Sequence, residues 1–220
     1  MMTDPIDEAL EKLRSAVGAG KSDTYCLRLW SRFIRERDGH QCVLCTGTSR
    51  LAAHHVVRKC FLPYARLSQG NGITLCAECH AEPHASFNRR PDLNLPMDAQ
   101  GGEKIELLMG FYRALAVDAM RHEYCNADWY YLSARTLNTF KRHQSLPESV
   151  TFGGLPVEQA FWIWRQPPHS TFRAILEANG LNLPYGFTMR PSVNVIDDPQ
   201  NSDGVSVFLM DGLARIKGHY

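Results

Sequence analysis

Apolar positions recur at helical intervals through the first forty residues. Asp4 followed by Pro5 supplies a cap and a first helical position, and Leu10, Leu13 and Val17 form a stripe that stops at Gly18. A second stripe of Leu27, Trp30, Phe33 and Ile34 predicts a helix over 24–37, ended by "DG". The helical period is lost over 40–57, which read as short strands around a tight turn, with a loop from there to Gly72. "ITLC" then leads into a short helix from Ala77. "NRRPDLNLPMDAQGG" has the Pro, Gly and Asn content of a linker. Two helices follow, over 103–124 (stripe Ile105, Leu108, Phe111, Leu115, Met120) and 127–143, and further helices fit 156–165 and 170–179. In the tail, "SVNVID" and "VSVFLM" alternate in the manner of strands. The pattern predicts an α+β chain, mainly helical, with a small core at 39–90 and a short-stranded C-terminal part. Residues 1–38 supply N-terminal helices packing on that core, 91–150 a helical extension, and 151–220 an α/β region with no motif to which chemistry attaches.

Composition places the chain among ordinary globular proteins, with 44% hydrophobic and 21% charged residues over 220 positions. No apolar run approaches the roughly 20 residues needed to cross a bilayer, and the N-terminus is acidic and amphipathic rather than a secretion signal, so an intracellular, cytoplasmic chain with no membrane association is expected. The net charge of +1 conceals a division. Residues 21–90 hold eleven basic and five acidic groups, net +6, whereas 1–20 carry net −2 and 91–220 net −3. A local excess of this kind draws in polyanions although the whole chain is near neutral. The competing reading of Arg28, Arg32, Arg35 and Arg37 is a solvated helix face.

Seven cysteines, an odd number, argue against a disulfide framework and towards metal or thiolate chemistry. Four of them fall into two pairs, Cys42-x2-Cys45 and Cys76-x2-Cys79. A tight turn lets both sulfurs of one pair reach the same ion, and two pairs complete a tetrahedron, so a structural zinc is expected here. Cys26, Cys60 and Cys125 lack such partners and read as ordinary thiols. The clamp brings the ends of the intervening segment together, and with them His54, His55, His80 and His84. Histidines gathered beside a structural ion but outside its ligand set suggest a second, catalytic metal centre. Adjacent strand residues point to opposite sides, so one of His54 and His55 is free for another role; spacing alone does not say which. A metal beside a free imidazole in the basic part of the chain suits hydrolysis of a phosphate ester.

Read together, "RDGHQCVLC", "LAAHHVV" and "NGITLCAECHAEPH" closely resemble the HNH endonucleases, the ββα-metal nucleases, over about residues 28–88. The resemblance implies a ββα-metal core in which His54 and His80 are ligands of the catalytic ion, His55 is the general base, and Asn71 pins the loop that orients the base. It also implies that His84 is a further ligand, as in colicin-type relatives, which likewise have His-His where many members have Asp-His. Arg58 and Lys59, just after the histidines, are candidates for phosphate contact. The catalytic ion is expected to be magnesium or manganese, with nickel or zinc suited to a histidine-rich site. The activity implied is metal-dependent hydrolysis of DNA phosphodiester bonds. A narrower reading makes the chain an effector subunit of a bacterial restriction or anti-phage defence system, working with a regulatory protein or as a homodimer. The alternative is a non-catalytic zinc-ribbon module that binds DNA or protein. The tryptophan clusters "DWYY" and "FWIWR" read as core before interface.

Overall fold

The computed structural model describes residues 4–81, 83, 105–122, 126–144 and 146–166, together with strand residues 188–190, 195–197, 206–210 and 213–217. Helix α1 (Pro5–Gly18) starts where Asp4 accepts a hydrogen bond from the Ile6 amide at 2.8 Å, and it buries Ala9, Leu10, Leu13 and Ala16. Val17, expected on the inner stripe, is 48% exposed because the buried face turns through Ala16 instead. Helix α2 (Asp23–Arg37) is capped by Ser22, packs on α1 and buries Cys26, Trp30, Phe33 and Ile34.

Only four residues on each side of the 40–75 region form strands. β1 (Ala52–His55) runs antiparallel to β2 (Gly72–Leu75), with His54 opposite Ile73 and His55 opposite Gly72. Residues 40–51 are turns rather than the expected strands. His40, Thr46 and Arg50 take positive φ, and the Thr46 amide bonds back to the Cys42 carbonyl at 2.7 Å, leaving no extended run to pair. The short helix α3 (Ala77–Ala81) completes a small ββα-like unit, with α2 packed on both strands. Two glycines set how closely its parts approach. A Cβ on Gly72 would lie 2.5 Å from Ile34 Cδ1 and 2.6 Å from Trp30 Cζ2, and one on Gly70 would lie 2.7 Å from the Tyr130 carbonyl oxygen. Side chains at either position would push α2, or the turn before α5, off the sheet.

Helices α4 (Ile105–Arg121), α5 (Ala134–His143) and α6 (Pro156–Arg165) pack together, α6 lying against both others. Leu108, Phe111, Tyr112 and Leu115 form the inner face of α4, while Met120, placed on its stripe from sequence, is 69% exposed. A short 3-10 turn, Ala127–Tyr130, stands before α5 and is tied to α1 by Trp129 Nε1 donating to Asp7 at 2.7 Å. Trp129, Tyr130 and Trp164 are buried, and one apolar cluster runs from Ala9 to Trp164. Near the C-terminus, β3 (Thr188–Arg190), β4 (Val195–Asp197), β5 (Ser206–Met210) and β6 (Leu213–Lys217) form an antiparallel meander in that order. The expected linker and the helix over 170–179 lie outside the described residues. No helix among the described residues is long and apolar enough to cross a membrane.

Candidate metal centre and its histidine pocket

Four cysteines converge at one end of the ββα unit. Cys42 and Cys45 sit on the turn that precedes β1, held to β2 where the Val43 amide donates to the Thr74 carbonyl at 3.0 Å. Cys76 and Cys79 sit at the entry to α3 and within it. Their sulfurs all lie within 4.8 Å of one another, and Cys45 and Cys76 Sγ are 3.6 Å apart. A tetrahedral ion with metal–sulfur bonds of about 2.3 Å separates its ligands by about 3.8 Å, so this cluster fits a metal ion. The thiols are electronically unequal. Burial raises the Cys42 pKa, but the backbone amides of Cys76, Cys45 and Leu44 outweigh it and bring the thiol down to about 7. Cys79 is pushed up, first by burial and then by its hydrogen bonds with the other sulfurs.

The two adjacent histidines diverge, as β1 dictates. His54 is 6% exposed and turns towards α3, its ring 4.9 Å from that of His80 at an interplanar angle of 80°. Metal–nitrogen bonds of about 2.1 Å place each imidazole centroid roughly 3.2 Å from an ion, and two such rings at a near-tetrahedral angle stand roughly 5 Å apart. The pair therefore has the separation of two rings sharing an ion. Phe111 of α4 meets His54 edge-on at 5.9 Å and closes the apolar side of the pair. Burial lowers the pKa of His80, which keeps a ring in its neutral, ligating form.

His55 turns the other way and stacks on Trp30, centroids 4.2 Å apart and 11° from parallel. Its Nε2 lies 2.9 Å from the Arg66 carbonyl oxygen. A carbonyl only accepts, so Nε2 carries the hydrogen and Nδ1 presents the lone pair. Burial lowers the His55 pKa, the Arg66 carbonyl raises it, and the charge on Lys59 lowers it again; the net shift is downward. The ring is thus neutral at neutral pH and oriented at one nitrogen.

What fixes the Arg66 carbonyl is Asn71. This side chain is fully buried; its Oδ1 accepts from the Val57 amide at 2.9 Å, and its Nδ2 donates to the carbonyls of Val57 at 3.0 Å and Ala65 at 3.2 Å. Asn71 thereby staples both ends of the 57–65 loop, and Trp30 Nε1 adds a bond to the Ser68 carbonyl at 3.0 Å. Arg66 itself pairs with Asp23 of α2 at 2.7 Å.

Beneath this loop lies a buried arginine of α2. Arg28 and Arg32 are exposed, but Arg37, grouped with them in the basic segment and in the competing reading of a solvated face, is fully buried. Its guanidinium donates to Asp38 Oδ1 at 2.7 Å, to the Gln69 carbonyl at 2.8 Å and to the Gly72 carbonyl at 2.8 Å, and it lies over the Tyr130 ring at 4.6 Å. Asp38 uses its second oxygen to accept from the Thr74 amide at 2.7 Å. The pair clamps the chain on both sides of Asn71. The one sequence signal was position: Arg37 sits at the same helical phase as Trp30 and Phe33. Trp30 was read as core alone, and nothing in the sequence marks the Arg66 carbonyl, which is backbone.

Among the remaining expected residues, Arg58 is 8% exposed and donates to the Pro83 carbonyl, so it anchors the chain beyond α3 rather than facing solvent. Lys59 is exposed. His84 lies outside the described residues. Set against family models, curated proteins and solved structures, the chain matches none.

Proposed function

We propose that this chain is a metal-dependent endonuclease of the HNH type that hydrolyses DNA phosphodiester bonds. The observation that carries the reading is the division of labour on β1: His54 faces His80 at ligand separation, while His55 is stacked, oriented through Nε2 and neutral. The four-cysteine cluster holds zinc in this reading, because four sulfurs at tetrahedral separations suit that ion. His54 and His80 would hold a divalent ion, magnesium or manganese in the first instance, which would supply Lewis-acid stabilisation of the phosphoryl group. The resemblance to colicin-type nucleases would add His84 as a further ligand.

The chain's own residues then do the following. His55 takes a proton at Nδ1 from the attacking water as the new oxygen–phosphorus bond forms; the bond to the 3′ oxygen breaks, and that oxygen takes up a proton from solvent water. The products are a 5′-phosphate and a 3′-hydroxyl. Asn71 and Trp30 hold the loop whose Arg66 carbonyl fixes the tautomer of His55. Lys59, exposed beside the pocket, is placed to meet backbone phosphate. Within this proposal the chain serves as an effector subunit in bacterial restriction or anti-phage defence, its helical extension supplying a regulatory partner's surface.

Incubating supercoiled plasmid with the protein and magnesium, manganese or a chelator tests the activity. Open-circular or linear product that requires the metal supports it. Zinc-loaded, folded protein that leaves plasmid intact under every metal favours a non-catalytic binding module instead.

A further inference from the structure

Beside the histidine pocket, α4 and the cysteine turn enclose a groove of about 200 Å³ lined by Val43, Gly110, Arg113, Ala114, Val117 and Arg121. It begins one residue before Phe111, the ring that meets His54. Gly110 and Ala114 keep its floor low, and a Cβ added to Gly110 would meet nothing within 4 Å. Arg113 and Arg121 are exposed, and neither makes an ion pair among the described residues. No acidic residue lines the groove. Eight residues separate the two arginines, about 12 Å along the helix axis. That length exceeds the spacing of adjacent phosphates on one DNA strand, so the two arginines reach different phosphates.

We propose that this groove binds the phosphodiester backbone of the DNA strand next to the cleavage site, Arg113 and Arg121 each neutralising a phosphate. The proposal rests on the nuclease reading for its choice of polyanion. Two unpaired guanidiniums with no carboxylate between them are complementary to a chain of phosphates. Small residues at the floor allow a sugar-phosphate chain to approach the helix backbone closely. Contacts of this type position the substrate without reading its sequence, and they place the adjoining phosphodiester towards His54 and His80.

The test is the affinity of the full chain for two duplexes of unrelated sequence, followed by fluorescence anisotropy across a sodium chloride series without added divalent ions. Replacing both arginines (Arg113→Gln with Arg121→Gln) is expected to lower the slope of log affinity against log salt by about 1.8 and to weaken binding about tenfold for both duplexes. Gly110→Leu fills the groove without altering charge and raises helix propensity, so it folds; it is expected to weaken binding comparably. Wild-type affinity and slope in both variants overturn the proposal and leave the groove to an acidic protein segment. Plasmid cleavage with binding untouched by these variants sinks the groove alone. Groove-dependent binding with no cleavage in any metal sinks the nuclease reading alone.

Discussion

Replacing Asn71 by alanine tests how the base is held. Asn71 makes three buried hydrogen bonds, to the Val57 amide, the Val57 carbonyl and the Ala65 carbonyl. Alanine leaves all three backbone groups without that partner in a fully buried site. At a net value of about 1 kcal/mol each the loss is about 3 kcal/mol, and more if water does not reach the orphaned Val57 N–H. For a chain of this size that amounts to a fall in Tm of about 6–12 °C. Asn71→Asp keeps an acceptor for the Val57 amide but faces two carbonyls with a carboxylate, so it is expected to cost at least as much. Ser15→Ala, which removes a bond between exposed side chains at 3.3 Å, is the control and should stay within about 0.5 kcal/mol of wild type. Urea unfolding gives the three free energies on one scale, with an unchanged m-value showing that the same unit unfolds. An Asn71→Ala free energy within about 0.5 kcal/mol of wild type would refute the stapled loop, and with it the account of how His55 is oriented.

Three further expectations follow from particular contacts. Wild-type protein should carry one tightly held ion at the cysteine cluster, and Cys42→Ser or Cys79→Ser should release it in native mass spectrometry; wild type free of metal after purification in zinc counts against the cluster as a metal site. Arg37→Lys keeps the charge but cannot reach Asp38, Gln69 and Gly72 together, so a loss on the order of 2–3 kcal/mol is expected in chemical denaturation, and a neutral result would remove the clamp from the account. Asp118 is buried and accepts from Tyr130; burial, then the nearby Asp38 carboxylate, raises its pKa above the ordinary value of 3.8. The folded chain therefore binds this proton more tightly than the unfolded chain, and the stability it lends is present below that value and lost as pH rises through the raised one. The Tm of wild type minus that of Asp118→Asn should accordingly fall as pH rises above the ordinary value of 3.8, and a difference that grows with pH contradicts the assignment.

Helices were legible in the sequence wherever a strong stripe met a clear cap. Asp4 with Pro5 marked the start of α1, and the helix expected over 156–165 is α6. Single positions at the helix edges were less so: Val17 and Met120 fit their stripes but lie just past the face that the neighbouring elements cover. The cysteine cluster was legible because a metal demands fixed spacing twice over. The orientation of His55 was not, since it depends on a backbone carbonyl brought in by a loop, a long-range contact with no local signature. Arg37 shows the same limit from the other side. An arginine on a helix reads as solvated until the fold supplies Asp38 and two carbonyls to receive it.

If His55 removes a proton beside a metal held by His54 and His80, plasmid nicking depends on both the base and the ligand. The most direct measurement compares the plasmid-nicking rates of wild type, His55→Ala and His80→Ala, each checked for equal zinc content and a cooperative thermal transition. The account expects magnesium- or manganese-dependent nicking by wild type and a fall of at least a hundredfold, on the order of what a general base contributes, in both variants. Wild-type rates in folded His55→Ala would contradict it.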